Sequence, residues 1–241
     1  MRPDALVVVP TYNEAANLPD LAGAVRRHAS LLVVDDASPD GTGRIADDIA
    51  AEDQGTAVLH RSSKAGLGPA YAAGFAAAID GPWSIVLQMD ADFSHDPADI
   101  PRLIAAIDEG AEVAIGSRYV PGGSVQNWPW HRRLLSRAGN RYARLMTGSS
   151  TRDMTAGFRA FRAEALARLD PASCRASGYG FQIEMAWRSD LLGLDVTEVP
   201  ISFTERIAGA SKMSPGIALE AMTLATRWGW DRARGRVTWP A

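Results

Sequence analysis

Ile85 to His95 read I-V-L-Q-M-D-A-D-F-S-H. Ile85, Val86 and Leu87 form the short apolar run that a strand buried on both faces requires. The run meets Asp90 and Asp92, and residues two apart on extended chain point the same way. Two carboxylates leaving the carboxyl end of a buried strand on one side suit a hard divalent cation. That edge is where open α/β sheets bind ligands. An acidic surface turn has the same composition, because Asp favours turns, so the rest of the chain has to decide.

Upstream, the β-rich run Ala5–Val9 ends in P-T-Y-N-E (Pro10–Glu14), and Leu18, Leu21 and Val25 recur at helical spacing. Leu31–Val34 reads as a strand ended by D-D-A-S-P-D-G-T (Asp35–Thr42), with a helix following through Ile45 and Ile49. Thr56–Leu59 is a third strand, Arg61–Gly68 a loop, and Pro69–Ile79 an alanine-rich helix. Downstream, Asp96 is placed to cap a helix that has Pro97 at its first position and runs to Ile107. Glu112–Ile115 is the next strand. Alternation of strand and helix through short loops predicts a layered, Rossmann-like α/β/α fold on a mostly parallel sheet.

After Arg118 the character changes. Pro121–Pro129 reads as a Gly/Pro loop, and His131–Thr147 as an amphipathic helix. Leu134, Leu135, Ala138, Tyr142, Leu145 and Met146 favour one side of it, with Arg133, Arg137, Arg141 and Arg144 on the other. The chain returns to the core at Gly157–Phe161, and Phe181–Leu192 reads as a helix and Val196–Phe203 as a strand. The last helix spans Ile217–Trp228, after a loop at Glu205–Pro215. Five of the seven tryptophans (Trp128, Trp130, Trp228, Trp230, Trp239) flank the two outer helices, and indoles favour half-wet, half-apolar positions. The reading is one domain over 1–241, with a ligand-binding half to 118 and a peripheral half after it.

The chain has 241 residues, 46% of them hydrophobic, enough for one sizeable core. A single cysteine, Cys174, excludes an intrachain disulfide and a thiolate cluster. Asp4 interrupts the N-terminal apolar run, so no signal peptide is read, and no run approaches the ~20 apolar residues of a membrane span. The expectation is a cytoplasmic protein, soluble or peripheral. Residues 1–110 hold 7 Lys/Arg and 17 Asp/Glu, and residues 111–241 hold 18 and 11. The acidic half suits a metal, and the basic half suits an anionic partner such as phosphate or a membrane surface. A long nucleic acid is disfavoured, because the first half would repel it.

There is no Walker A sequence, H-E-x-x-H or G-x-S-x-G, and the four histidines are scattered. Gly66-Leu-Gly68 begins like a dinucleotide fingerprint, but Tyr71 occupies its third glycine position. In parallel strands every strand-to-helix loop emerges at one end. That gathers Pro10–Glu14, Asp35–Asp40, Lys64–Gly68 and Asp90–Ser94, which together can stack a base, hydrogen-bond a ribose and hold a metal on a diphosphate.

P-T-Y-N-E, V-D-D-A-S-P-D-G-T, K-A-G-L-G-P-A-Y, M-D-A-D-F-S-H, G-S-R-Y-V-P-G-G, G-Y-G-F-Q-I-E-M and E-V-P-I-S-F-T-E-R-I-A-G-A-S-K follow in that order. From Val7 to Lys212 the chain resembles the inverting family-2 glycosyltransferases, in particular their polyprenyl-phosphate (dolichyl-phosphate) mannosyltransferases. The resemblance implies a GT-A-type fold, GDP-mannose as donor, a polyprenyl phosphate as acceptor, and Mg2+ or Mn2+ as cofactor. It implies that Pro10, Tyr12, Glu14, Val34 and Asp36 hold the guanosine, and that Asp90, Ala91 and Asp92 form the metal–diphosphate motif. Ser94 stands where some relatives carry a Gln metal ligand. Arg118, Arg132 and Ser136 match the region receiving the lipid phosphate, and Arg206 and Lys212 match a mobile loop closing on the donor. Asp92, Arg118, Arg206 and Lys212 are thus the expected catalytic set. Some relatives carry C-terminal membrane helices that this chain lacks. The expected attachment is therefore peripheral, on the inner face of the membrane, through amphipathic helices or an anchoring partner protein. A UDP-sugar transferase acting on polyprenyl phosphate shares the N-terminal motifs, and a non-catalytic membrane-binding α/β module shares the arginine-rich helix.

Overall fold

The computed structural model describes residues 2–176, 178, 180–205 and 215–236. Its strands are, in chain order, β1 (Arg2–Thr11), β2 (Ala29–Asp35), β3 (Thr56–His60), β4 (Ile85–Gln88), β5 (Val113–Ser117), β6 (Ser124–Gln126), β7 (Arg159–Arg162), β8 (Val196–Pro200) and β9 (Ser202–Thr204). The main sheet has the order β3-β2-β1-β4-β7-β5-β8, and β6 pairs with β9 in a separate ribbon. Only β7 runs against its neighbours, β4 and β5, so the sheet is mostly parallel as predicted.

The helices are α1 (Leu18–Arg26), α2 (Thr42–Glu52), α3 (Leu67–Ile79), α4 (Ile100–Asp108), α5 (Trp130–Thr147), α6 (Ala163–Leu169), α7 (Gly180–Leu191) and α8 (Pro215–Ala233). Strand alternation sorts the core into two faces. Ala5, Val7 and Val9 of β1 join α1, α2 and α4 on one side. Leu6 and Val8 join α3, α6 and α7 on the other. The result is three layers, α/β/α. Helix α3 lies close to the sheet because Gly74 has no side chain. A Cβ there would stand 2.4 Å from Val8 Cγ1 and 2.9 Å from Val34 Cγ2. Asp96 caps the turn before α4 as expected, its side chain accepting from the Ala98 N–H at 2.9 Å.

Four local readings are corrected. Pro121–Pro129 contains the strand β6, and the single strand expected over Val196–Phe203 is two. Pro200 has no N–H to donate. The Ile201 N–H donates to Ser117 O at 3.0 Å, and the chain then leaves the main sheet to pair with β6. Helix α6, too short to show a periodicity, was not anticipated. The fourth correction concerns α5, whose six apolar residues divide between two environments instead of sharing one side. Its packed side is Asn140, Ala143 and Thr147, while Leu134, Leu135 and Leu145 stand 60%, 72% and 65% exposed. Tyr142 and Met146 turn instead toward the small cluster that α5 shares with α7 and α8. That cluster includes stacked Trp187 and Trp228, 5.0 Å apart. A Cβ on Gly229 would lie 2.8 Å from the Met146 carbonyl, so α8 abuts the α5 backbone.

Candidate active site

The strand order turns back at β1, with β2 and β3 on one side and β4 on the other. The crevice past the carboxyl ends of β1 and β4 is therefore the topological switch point, where open α/β sheets bind ligands. Pro10 ends in this edge from β1, and Tyr12 and Glu14 follow it. Val34 lies in β2, and Asp36 is just past its end. Asn13, Ala37 and Phe93 have φ of 60°, 55° and 57°, one in each loop that follows β1, β2 and β4. Left-handed non-glycine residues cost on the order of 1–3 kcal/mol and collect at functional sites.

The acidic run after β2 divides its labour. Asp35 accepts from Thr11 Oγ1 at 3.1 Å and from the Ser38 N–H at 3.1 Å, so it builds the loop. Asp40 accepts from the Thr42 N–H at 3.0 Å, and burial, which raises its pKa, is outweighed by that bond and others, leaving it below the usual Asp value. Asp36, also buried, is held by Arg61 at 2.5 Å and the Ala65 N–H at 3.3 Å. Arg61 gave no sign in the sequence beyond lying in a loop. Lys64 Nζ sits 3.8 Å from the centroid of the Tyr12 ring, so the loops after β1 and β3 meet.

Asp90 and Asp92 do converge, though for a different reason than strand alternation. Strand β4 ends at Gln88, and both carboxylates belong to the turn beyond it. Asp90 accepts from Tyr71 Oη at 3.1 Å, and Asp92 from the Ser94 N–H at 3.1 Å. Ala91 between them points into the core. Gly157 leaves room for the pair, since a Cβ there would be 3.0 Å from Asp90 Oδ2. His95 is buried between Phe158 and Phe203, with Nε2 3.7 Å from Asp90 Oδ2. Below the turn the buried Gln88 amide donates to Gly157 O at 3.1 Å and to Gln182 Oε1 at 2.7 Å. Sequence reading missed this brace, whose one signal is a polar residue interrupting I-V-L-Q-M.

Among the described residues no three His, Cys, Asp or Glu side chains cluster as a closed metal cage. Two carboxylates in an open turn are the donor set by which a hard cation such as Mg2+ is held when substrate phosphates and water complete its shell. The residues present fit a cation of that kind. Cys174 is no candidate ligand, since burial pushes its thiol pKa up and its Sγ lies 3.8 Å from Met185 Sδ.

Asp90, Asp92 and Ser94 line one cavity with Arg118, Arg132 and Ser136, so the expected metal and acceptor-phosphate groups share a wall. The cavity measures about 190 Å³ and continues between α5 and α8 past Leu135, Ala143, Ile183 and Met222. Its polar end is set by partners absent from the sequence reading. Asp153, fully buried, accepts from Arg118 Nε at 2.7 Å and Nη2 at 2.6 Å, and Thr155 Oγ1 accepts from the same Nη2 at 2.8 Å. Burial alone would raise the Asp153 pKa, but the charge and hydrogen bonds of Arg118 override it and hold it below the usual value. Arg132 pairs with Glu205 and stacks 4.1 Å over Trp128. Ser136 Oγ accepts from Tyr119 Oη at 2.6 Å. Arg206 and Lys212 lie outside the described residues.

Residues 6–170 match the sequence pattern described as Glycosyl transferase family 2. The chain is 50% identical over 240 residues to a polyprenol monophosphomannose synthase of Mycolicibacterium smegmatis, covering 96% of this chain and 91% of that protein. It is 48% identical over 239 residues to an undecaprenyl-phosphate mannosyltransferase of Micrococcus luteus, covering 96% and 98%. Among solved structures, the Pyrobaculum calidifontis mannosyltransferase PcManGT, in complex with GDP-Man and Mn2+, superposes with a TM-score of 0.59 at 17% identity, over 98% of this chain and 74% of that one. This last likeness is one of fold, the GT-A-type three-layer arrangement.

Proposed function

We propose that this chain, which belongs to glycosyl transferase family 2, transfers mannose from GDP-mannose to a polyprenyl phosphate, with inversion at the anomeric carbon. The observation that carries the reading is the shared cavity. It sets the Asp90–Asp92 turn and the Arg118, Arg132 and Ser136 group at one end, and opens along an apolar path between α5 and α8 at the other. A diphosphate leaving group and a phosphate on a long apolar tail are the two ligands this polarity suits. The names of the two curated relatives supply mannose and the polyprenol class.

In the proposed reaction an oxygen of the acceptor phosphate attacks C1 of the mannosyl group, and the bond from C1 to the diphosphate oxygen breaks. GDP leaves with the electron pair. A phosphate monoester is already largely ionised near pH 7, so no proton has to be removed by the protein. Tyr12 and Asp36 are assigned to the nucleoside, with Pro10, Glu14 and Val34 shaping its seat. Asp90 and Asp92, with Ser94 beside them, would hold Mg2+ or Mn2+, which when bound stabilises charge on the departing diphosphate. Arg206 and Lys212 are assigned to the donor diphosphate. Arg118, positioned by Asp153, and Arg132 hold the acceptor phosphate in line against its repulsion by the donor. Arg132 must exchange its Glu205 partner, in whole or in part, for that phosphate.

The membrane seat is the outer face of α5 and α8. Trp130, Leu134, Leu145, Leu219 and Trp230 are 75%, 60%, 65%, 65% and 59% exposed there. Among the described residues no helix is long and apolar enough to cross a membrane. An apolar ridge on two helices beside the acceptor cavity supports peripheral binding, which the proposal places on the inner face of the membrane.

The test is incubation of the purified protein with GDP-mannose, Mg2+ or Mn2+ and a polyprenyl phosphate, with the lipid product read by mass spectrometry. UDP-glucose serves as the competing donor. A mannosyl phospholipid is the expected product. Product from UDP-glucose alone overturns the donor assignment, and no lipid product with either overturns the function.

A further inference from the structure

A second cleft, of about 740 Å³, runs along α5 and the loop that follows it. Arg137, Arg141 and Arg144 line it from the helix, and Arg152 lines it from the loop beyond. No Asp or Glu lines it. Among the described residues none of these four guanidinium groups pairs with a carboxylate, in contrast to Arg118 and Arg132, though the Arg152 backbone N–H donates to Glu198 Oε2 at 2.8 Å. Arg144 Nε is buried without a hydrogen-bond partner. A further guanidinium, that of Arg232 of α8, rests against Gly148 of the same cleft, where an added Cβ would stand 2.0 Å from its Nη1. Guanidinium groups lining one cleft repel one another, and an anion between them reverses the sign of that energy.

We propose that this cleft binds the headgroup of an anionic diacyl phospholipid, at a site separate from the acceptor cavity. Two observations favour a lipid over free phosphate or nucleic acid. Leu145, 65% exposed, forms the lip of the cleft, which places its anion-binding wall at the border of the apolar ridge. Acyl chains leaving a headgroup held by Arg141 and Arg144 would therefore run onto that ridge. The net charge of the first 110 residues, 7 Lys/Arg against 17 Asp/Glu, opposes a long polyanion. The cleft is also distinct from the acceptor site. Arg118 and Asn140 form the wall common to both, and Arg118 presents its Nε and Nη2 to Asp153. The inference rests on the proposed membrane seat and is independent of the transfer reaction. A specifically bound phospholipid would fix how α5, and with it the acceptor cavity, stands on the bilayer.

The experiment compares two charge-matched double variants of the full chain. Arg144→Gln/Arg152→Gln removes two cleft charges, and Arg133→Gln/Arg227→Gln removes two exposed charges from α5 and α8 outside the cleft. Binding is measured by flotation on phosphatidylcholine vesicles carrying phosphatidylglycerol, and on vesicles brought to the same surface charge with a fatty-acid carboxylate. At roughly five-fold per arginine near an anionic surface, the cleft variant should lose on the order of 25-fold in affinity for phosphatidylglycerol vesicles. The control variant should lose several-fold less, and wild type should prefer phosphatidylglycerol over carboxylate at equal charge. Equal losses in the two variants, or equal binding to both vesicle types, overturns the proposal, because a diffuse positive field predicts both. Tighter retention by polyprenyl phosphate than by phosphatidylglycerol also overturns it and reassigns the cleft to the acceptor. Mannosyl transfer to a short-chain acceptor in detergent is read in parallel. Its failure in wild type condemns the proposed function, and flotation alone decides the cleft.

Discussion

Asp153→Asn separates charge from shape at the polar end of the acceptor cavity. The carboxylate is fully buried and receives Arg118 through Nε at 2.7 Å, Nη2 at 2.6 Å and the backbone N–H at 2.9 Å. Arg159, wholly buried nearby, depends on the same charge: burial lowers its pKa to about 10, with Asp153 and Glu198 acting against that. The amide keeps the volume but leaves two buried guanidinium groups short of a counter-charge. Breaking a buried pair from one side costs about 3–5 kcal/mol, which for a chain of this size is a fall in Tm of roughly 6–20 °C. The pH dependence has a definite sign. Arg118 holds the folded Asp153 pKa below its ordinary value. The stabilisation is therefore complete above the unfolded value of about 3.9 and is lost as pH falls through the depressed folded value. The gap between wild type and variant should stay constant from neutral pH to about 4 and close below it. Transfer to the lipid acceptor should fall by on the order of 10²–10³, the cost of losing one oriented charge donor. Thermal unfolding across pH and a transfer assay measure both. Arg118→Met/Asp153→Leu should recover much of the stability and none of the transfer. A variant melting within about 2 °C of wild type, or a gap that stays the same at pH 3 as at pH 7, would refute this account.

Asp92→Asn should abolish metal-dependent transfer while the fold is kept, since the backbone bond its carboxylate accepts from the Ser94 N–H at 3.1 Å is one that an amide oxygen can also accept; full activity in excess chelator would count against the cation site. Gly74→Ala places a Cβ 2.4 Å from Val8 Cγ1 and 2.9 Å from Val34 Cγ2. Overpacking of about 1–3 kcal/mol should exceed the helix-propensity gain of about 1 kcal/mol, and urea unfolding checks the direction. Leu134→Ser/Leu145→Ser/Leu219→Ser alters side chains 60%, 65% and 65% exposed. Flotation and transfer to vesicle-embedded acceptor should drop, while transfer in detergent and the melting temperature hold; unchanged flotation would remove the ridge from the membrane role.

Buried strands were legible in the chain because a strand covered on both faces must be apolar throughout, as Ala5–Val9, Leu31–Val34 and Ile85–Leu87 are. Parallel order followed from the helices between them. Given parallel order, the gathering of Tyr12, Asp36, Lys64 and Asp90 at one edge was a matter of topology and needed no coordinates. What tertiary structure alone decided was pairing across long sequence separation. The partner that fixes Arg118 is 35 residues away, the one on Arg132 is 73 away, and the amide bracing Gln88 is 94 away. Nothing local marks such residues, because their roles come from burial of charge against charge, and burial is a property of the folded chain. Helix α5 shows the same division. Its amphipathic pattern was readable, yet the pattern could not say which side is packed. The α8 contact at Gly229 and the small side chains of Ala143 and Thr147 settled that. They seat the helix on a face of small and mixed side chains and leave Leu134, Leu135 and Leu145 outward.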